Sequence, residues 1–478
     1  MAPGNARDHS EGLSTAHVPQ LEKGPAYETV STAGDPSDKD TWTTYRHDLE
    51  RSGWTRATVG ADIHRDWTTA LGGRLSSLTV GPRNVYITKP ETHTVYALDR
   101  ATGRIVWNRC VGGPVDSPPT IARGVAVFGC RDGYVYCLRA ADGELVWRFR
   151  AVPNQRLLVA QEEIESAWPV HGSVLVRNGL VWFAAGRSSY LDNGIWLDAV
   201  RLETGQPVVA RRLDGRDAET WKALAQKSRG RMVRNLIPGT LPDILSASND
   251  ALFMRWTCFD EQGNVIPDVE PHLFSATGFL DATWWHRTYW QYGTWMRGGF
   301  GGWPQAARRV PAGRVLSITD DSIYGFGRAV YDVGNPDQSH AGHVGVVKDT
   351  YQDMGHIDYT QNPYRLFAAL KPGAPGAIKR QPALKYAWTT AVPILARAMV
   401  RTNKTLWIAG PAAKSRNQGL AELPLVCPGQ LLAVSPADGE IVSATPLDAA
   451  PVLDGLAATT GHLFIACTDG TVRHWRAE

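Results

Sequence analysis

Cysteine is scarce and follows no pairing pattern. Cys110, Cys130, Cys137, Cys258, Cys427 and Cys467 form no CxxC pair and no regular ladder. That excludes a disulfide-dense scaffold and a zinc ribbon. A surplus of one charge is also missing. Lys+Arg 50 against Asp+Glu 47 leaves a formal net charge of +3, too balanced for a chain whose main task is to hold a nucleic-acid backbone. No uninterrupted apolar run approaches the roughly eighteen residues of a transmembrane helix. Residues 2–40 are polar, with neither the basic start nor the apolar stretch of a secretion signal. What the chain does have is 47 glycines, 30 prolines and 18 tryptophans in 478 residues. Together these suit many short strands joined by tight turns.

An internal repeat organises them. Tyr96-Ala-Leu-Asp-Arg-Ala-Thr-Gly-Arg-Ile-Val-Trp107 is matched by Tyr136-Cys-Leu-Arg-Ala-Ala-Asp-Gly-Glu-Leu-Val-Trp147, about forty residues on. Weaker copies stand at 199–205 and 432–439, and Phe128-Gly-Cys-Arg-Asp-Gly133 is echoed by Ile465-Ala-Cys-Thr-Asp-Gly470. Alternating apolar strands separated by Asp-Gly or Thr-Gly are hairpins. Four-stranded units at this period predict an all-β fold, a β-propeller. Seven blades are expected, with eight allowed by the irregular stretch 213–390. The units fall at 70–107, 108–147, 148–212, 213–290, 291–390, 391–445 and 446–475. Residues 1–41 read as a flexible segment or linker, and 42–478 as a single propeller. Its ring would be closed by an outer strand from the Trp42–Thr69 region.

The same residues carry a family resemblance. Ala97-x-Asp99-x-x-Thr102-Gly103-x-x-x-Trp107 resembles the tryptophan-docking repeat of PQQ-like, quinoprotein-type propellers. Trp42-Thr-Thr-Tyr45-Arg-His-Asp48-x-x-Arg51-Ser52-Gly53 is similar to the strand that opens many such domains. The family includes pyrroloquinoline-quinone alcohol dehydrogenases and the propeller lipoprotein of the outer-membrane assembly machinery. The resemblance implies a periplasmic or secreted protein, and it fixes fold better than function. In the quinone enzymes a vicinal disulfide covers the cofactor and clustered Asp, Asn and Glu hold calcium. This chain has no adjacent cysteines and no traceable acidic set, so pyrroloquinoline quinone is not expected. The cofactor is left open, with a metal ion allowed.

The irregularities point to one face. Long excursions are expected at about 151–168, 214–242, 258–312, 328–363 and 411–428. All lie between second and third strands or between blades, so they emerge on the same side, where a rigid scaffold presents binding loops. Aligned innermost strands place His171, Arg314, Arg397, Asp243, Asp116 and Asp454 at one mouth of the central channel. His171, Arg314, Arg397 and Asp243 are the candidate catalytic groups; Asp116 and Asp454 are candidate ligand contacts. The run from Trp284 to Trp303 is dense in aromatics, and Trp284, Trp285, His286, Arg287, Tyr289 and Trp290 could stack on a sugar ring or anchor the loop. His340, His343 and His356 could share a metal. These features predict a monomeric ligand-binding propeller, catalytic or not, for an anionic or carbohydrate-like ligand. A uronate lyase would use Arg314, Arg397, His171 and a tyrosine from the insertions. A metal- or quinone-dependent oxidoreductase and a non-catalytic interaction scaffold are the alternatives.

Overall fold

The computed structural model describes residues 20–29, 40–160, 162–189, 191–214, 244–248, 251–255, 257–266, 271–275, 290–293, 307, 309–328, 364–371, 383–413 and 426–477. Among the described residues, eight antiparallel blade sheets follow one another, at 78–110, 120–150, 175–213, 245–266, 272–313, 315–390, 398–447 and 451–477, with a two-stranded hairpin, Leu157–Ala160 with Glu163–Ser166, between the second and third. The propeller therefore has eight blades, not the seven preferred from sequence. The difference lies in 213–390, which holds three blades rather than two. In the fourth blade, strands Ala251–Met254 and Thr257–Phe259 are separated by only two residues. The described residues of 258–312, read from sequence as an insertion, instead complete that blade and supply strands to the fifth. The fourth blade turns through Asp260 to Gly263, with Gly263 at φ +76, but no tryptophan follows at the spacing seen in the first two blades. The fifth has three described strands. Neither therefore carries the repeat signature.

Tryptophan and glycine join the blades. Trp107 ends up on the outer strand Ile105–Cys110, and its Nε1 donates to the Ala140 carbonyl in the next blade's turn at 3.0 Å. Trp147 donates likewise to Leu202 O at 2.9 Å, and Trp388 to Pro436 O at 3.0 Å. Each indole lies against the turn glycine of the following blade. A Cβ on Gly143 would come within 2.7 Å of Trp107, and one on Gly205 within 2.8 Å of Trp147. Both glycines are left-handed, at φ +72 and +66, so the turn needs glycine for its backbone and for the indole above it.

The ring closes with Ile63–Ala70, which pairs antiparallel with Thr471–Ala477. Trp67 on this strand donates to Arg100 O of the first blade at 3.2 Å and so repeats the docking contact across the closure. Near the N-terminus, Leu21–Lys23 adds a fifth strand to the second blade.

Residues 42–58 cross the ring on the side where the innermost strands end. Trp42 pairs with Val80, Thr43 O accepts from Ile121 N at 2.7 Å, and Leu49 O accepts from Ala247 N at 2.8 Å. Ser52 O accepts from Ile318 N, Thr55 N donates to Arg401 O, and Thr58 O accepts from Gly461 N, each at 2.9 Å. This strap thus touches the first, second, fourth, sixth, seventh and eighth blades in chain order. Arg51, fully buried, ties it to the third and fourth through Val174 O at 3.1 Å and Leu245 O at 2.9 Å. Among the described residues, no helix is long and apolar enough to cross a membrane.

Candidate functional site

The first strand of each blade starts at the end of the axis away from the strap. Arg314 immediately precedes Val315–Ile318, Arg397 precedes Ala398–Arg401, and His171 lies just before Leu175–Arg177. All three are half-buried. Each sits at the entry to its blade's first strand.

Arg314 and Arg397 are electrostatic neighbours. Burial pushes the Arg397 guanidinium below its ordinary value; the Cys427 thiol opposes this and the Arg314 charge adds to it. Two like charges side by side normally recruit a carboxylate. Among the described residues neither arginine has one, and Arg314 Nε is buried without a hydrogen-bond partner. In the second blade an arginine is paired with carboxylates. Arg131 grips Asp116 with two bonds, at 2.5 and 2.9 Å, and lies 3.6 Å from Glu165, which also pairs with Arg187.

Tyr364, at the start of strand Arg365–Leu370, completes the cluster. Its ring stacks on Phe326 at 5.2 Å, and the Arg328 guanidinium lies 4.6 Å from its centroid. Burial alone would raise the phenol. The nearby charges of Arg314 and Arg328 oppose this and bring it below its ordinary value. Beside the sixth and seventh blades, Arg314, Arg328 and Arg397 thus gather positive charge around Tyr364. Arg328, Tyr364 and Cys427 carry no repeat signature. Tyr364 could be sought only as a tyrosine flanking the excursion at 328–363.

Several candidates have other work. Asp116 is held by Arg131. Asp454, in a bulge of the eighth blade's first strand, accepts from Tyr45 Oη at 2.7 Å and pairs with Arg46 from the strap, both side chains almost fully buried. Arg46 also donates to Leu316 O and to Arg51 O and lies 4.6 Å from the Trp290 ring. The pair fills the channel between strap and mouth, so Asp454 neutralises an internal cation. Trp290 is 2% exposed and anchors the interior. Asp243, Trp284, Trp285, His286, Arg287, Tyr289, His340, His343 and His356 lie outside the described residues. Among those described, no three His, Cys, Asp or Glu side chains are grouped to hold a metal ion.

Comparison with known proteins bears on the fold. Residues 28–234 match the family described as outer membrane protein assembly factor BamB. Quinohemoprotein alcohol dehydrogenase from Comamonas testosteroni superposes with a TM-score of 0.57 at 14% identity, covering 94% of this chain and 83% of that one. The fold is that of the PQQ-type β-propellers. The related enzyme ADHIIG from Pseudomonas putida HK5 gives 0.55 at 12% identity, over 92% of this chain and 80% of its own. A europium-containing methanol dehydrogenase gives 0.52 at 11%, over 92% and 98%. No curated protein sequence matches the chain. At these identities the PQQ-type likeness concerns the fold.

Proposed function

We propose that this propeller binds a small anionic ligand, bearing carboxylate or sulfate groups, at the axial mouth formed by Arg314 and Arg397. The observation that carries this reading is the adjacency of two half-buried guanidinium groups with no carboxylate between them among the described residues. Guanidinium forks suit planar, two-oxygen acceptors. The strap crosses the other end of the axis, so a ligand approaches from the end where Arg314 and Arg397 lie. The saccharide expectation draws no support from Trp290, which is buried and offers no face to a sugar ring.

A redox role is the second reading, favoured by the fold shared with the quinohemoprotein alcohol dehydrogenases and methanol dehydrogenase. Pyrroloquinoline quinone is a carboxylated ring, and the arginine pair suits its acid groups. The rest of the donor set does not fit. The sequence has no adjacent cysteines, and the described residues supply no calcium cage.

The test is calorimetric titration of the full chain with sulfate and with citrate. Binding should weaken at least about tenfold in Arg314→Gln and in Arg397→Gln, with unchanged melting temperature. Equal affinity in wild type and both variants would remove the proposal.

A further inference from the structure

We propose that the seam closing the ring is an acid-sensitive latch. Asp66, His474 and His462 link the closing strand to the eighth blade, hold the seam while the imidazoles are neutral, and loosen it when they are protonated. This inference does not depend on the axial anion reading.

Three strands meet at the latch. His462 opens the eighth blade's second strand, His462–Cys467, and His474 lies in its third, Thr471–Ala477. Asp66 comes from the closing strand, Ile63–Ala70. It is the extra residue of a bulge: Arg65 faces Trp475 and Trp67 faces His474, so Asp66 has no place in the ladder. Its carboxylate lies instead 3.1 Å from His474 Nδ1. The other ring nitrogen, Nε2, is 2.9 Å from His462 Nδ1. His474 is 2% exposed, stacked on Phe464 at 4.6 Å, with the Trp67 ring 5.3 Å away. His462 is half-buried.

Two nitrogens this close need a single proton between them. The arrangement that suits both contacts puts the His474 hydrogen on Nδ1, toward Asp66, and lets Nε2 accept from His462. One added proton can stay on His474 beside Asp66 if His462 takes its other tautomer. A second has no place, because two imidazolium N–H groups would then point at each other. The neighbours do not relieve this. Arg476 lies 3.8 Å from Asp66, and Arg100, which faces His462, is itself held by Asp40 at 3.1 Å. His64, opposite Arg476 in the ladder, is exposed and adds a further positive charge when it titrates.

Burial accordingly holds both imidazoles below their ordinary titration. The His462 charge adds to this at His474, and Arg100 and Arg476 add to it at His462, against the opposing charge of Asp66. Once the seam opens, the rings titrate at about 6.5. The closed seam favours the neutral rings, so their contribution is complete above that pH and is lost progressively below it. The loss is local because all three residues lie on the closing strand and the two strands inside it. Release of Ile63–Ala70 also removes the Trp67 contact with Arg100 O on the first blade.

The test is hydrogen exchange of the full chain at about pH 7 and about pH 5, on either side of the ordinary histidine range, corrected for the pH dependence of exchange itself. Peptides from Ile63–Ala70 and Thr471–Ala477 should lose protection by at least about tenfold at the lower pH. Val125–Gly129 and Tyr134–Arg139 of the second blade should change little. His474→Gln should keep the closing strand protected at the lower pH. His462→Gln, which leaves His474 beside Asp66, should diminish the acid loss and replaces the first variant if that one does not fold. No acid loss in the wild type, an equal loss in both blades, or an undiminished loss in the variants overturns the latch.

Discussion

Asp198 sits on the third blade's third strand, Ile195–Arg201, and is 3% exposed with one carboxylate oxygen unpartnered. Burial pushes its acidity to about 8, against a hydrogen bond from the Arg211 backbone. In the unfolded chain it titrates near 3.8. Between these limits the folded state holds a proton that the unfolded state has lost, so stability falls as pH rises through the window. Asp198→Asn should therefore raise the melting temperature at pH 8 relative to wild type and change it little near pH 4, with differential scanning calorimetry as the measurement. An equal shift at both pH values would contradict the buried protonated acid. Arg46 and Asp454 pose the opposite case, an ion pair sealed between strap and mouth. Arg46→Met alone should destabilise by about 3–5 kcal/mol because it strands a buried carboxylate. Adding Asp454→Asn should recover part of that loss in chemical denaturation. No sequence pattern links these two residues, which are far apart in the chain and meet only because the strap crosses the channel.

At the scale of the element, the recurring unit is an indole lying on the next blade's turn glycine. Trp147→Ala should cost about 3–5 kcal/mol, as for other large buried aromatics, while Gly205→Ala should destabilise through both its left-handed backbone and the Trp147 contact. A measured loss below about 1 kcal/mol for Trp147→Ala would mean that the interface is held by something else. These contacts were readable because tryptophan, glycine and spacing recur together at 96–107 and 136–147. The fourth and fifth blades were not readable for the converse reason. Their strands are short and no docking tryptophan marks them, so periodicity ran two blades into one insertion. Arg314 and Arg397 were proposed from strand register alone. Asp116 and Asp454 shared that register, but their partners, Arg131 and Arg46, come from other segments and could not be anticipated from it.

For the whole molecule, eight blades are held as a ring by two uses of the N-terminal chain. Ile63–Ala70 supplies the last blade's outer strand, and 42–58 binds the inner strand ends. A proline replacing Thr68, whose partner across the closure is Arg473, should loosen the eighth blade first. Hydrogen exchange would show the loss of protection concentrated in Thr471–Ala477 and the neighbouring first blade. On the proposal above, the end of the axis near Arg314 and Arg397 is the molecule's binding end. The most direct measurement is a crystal structure of the full chain soaked in selenate, located by anomalous scattering. The account predicts a peak bridging Arg314 and Arg397, lost in Arg397→Gln. Selenate bound elsewhere, with that position vacant, would contradict it.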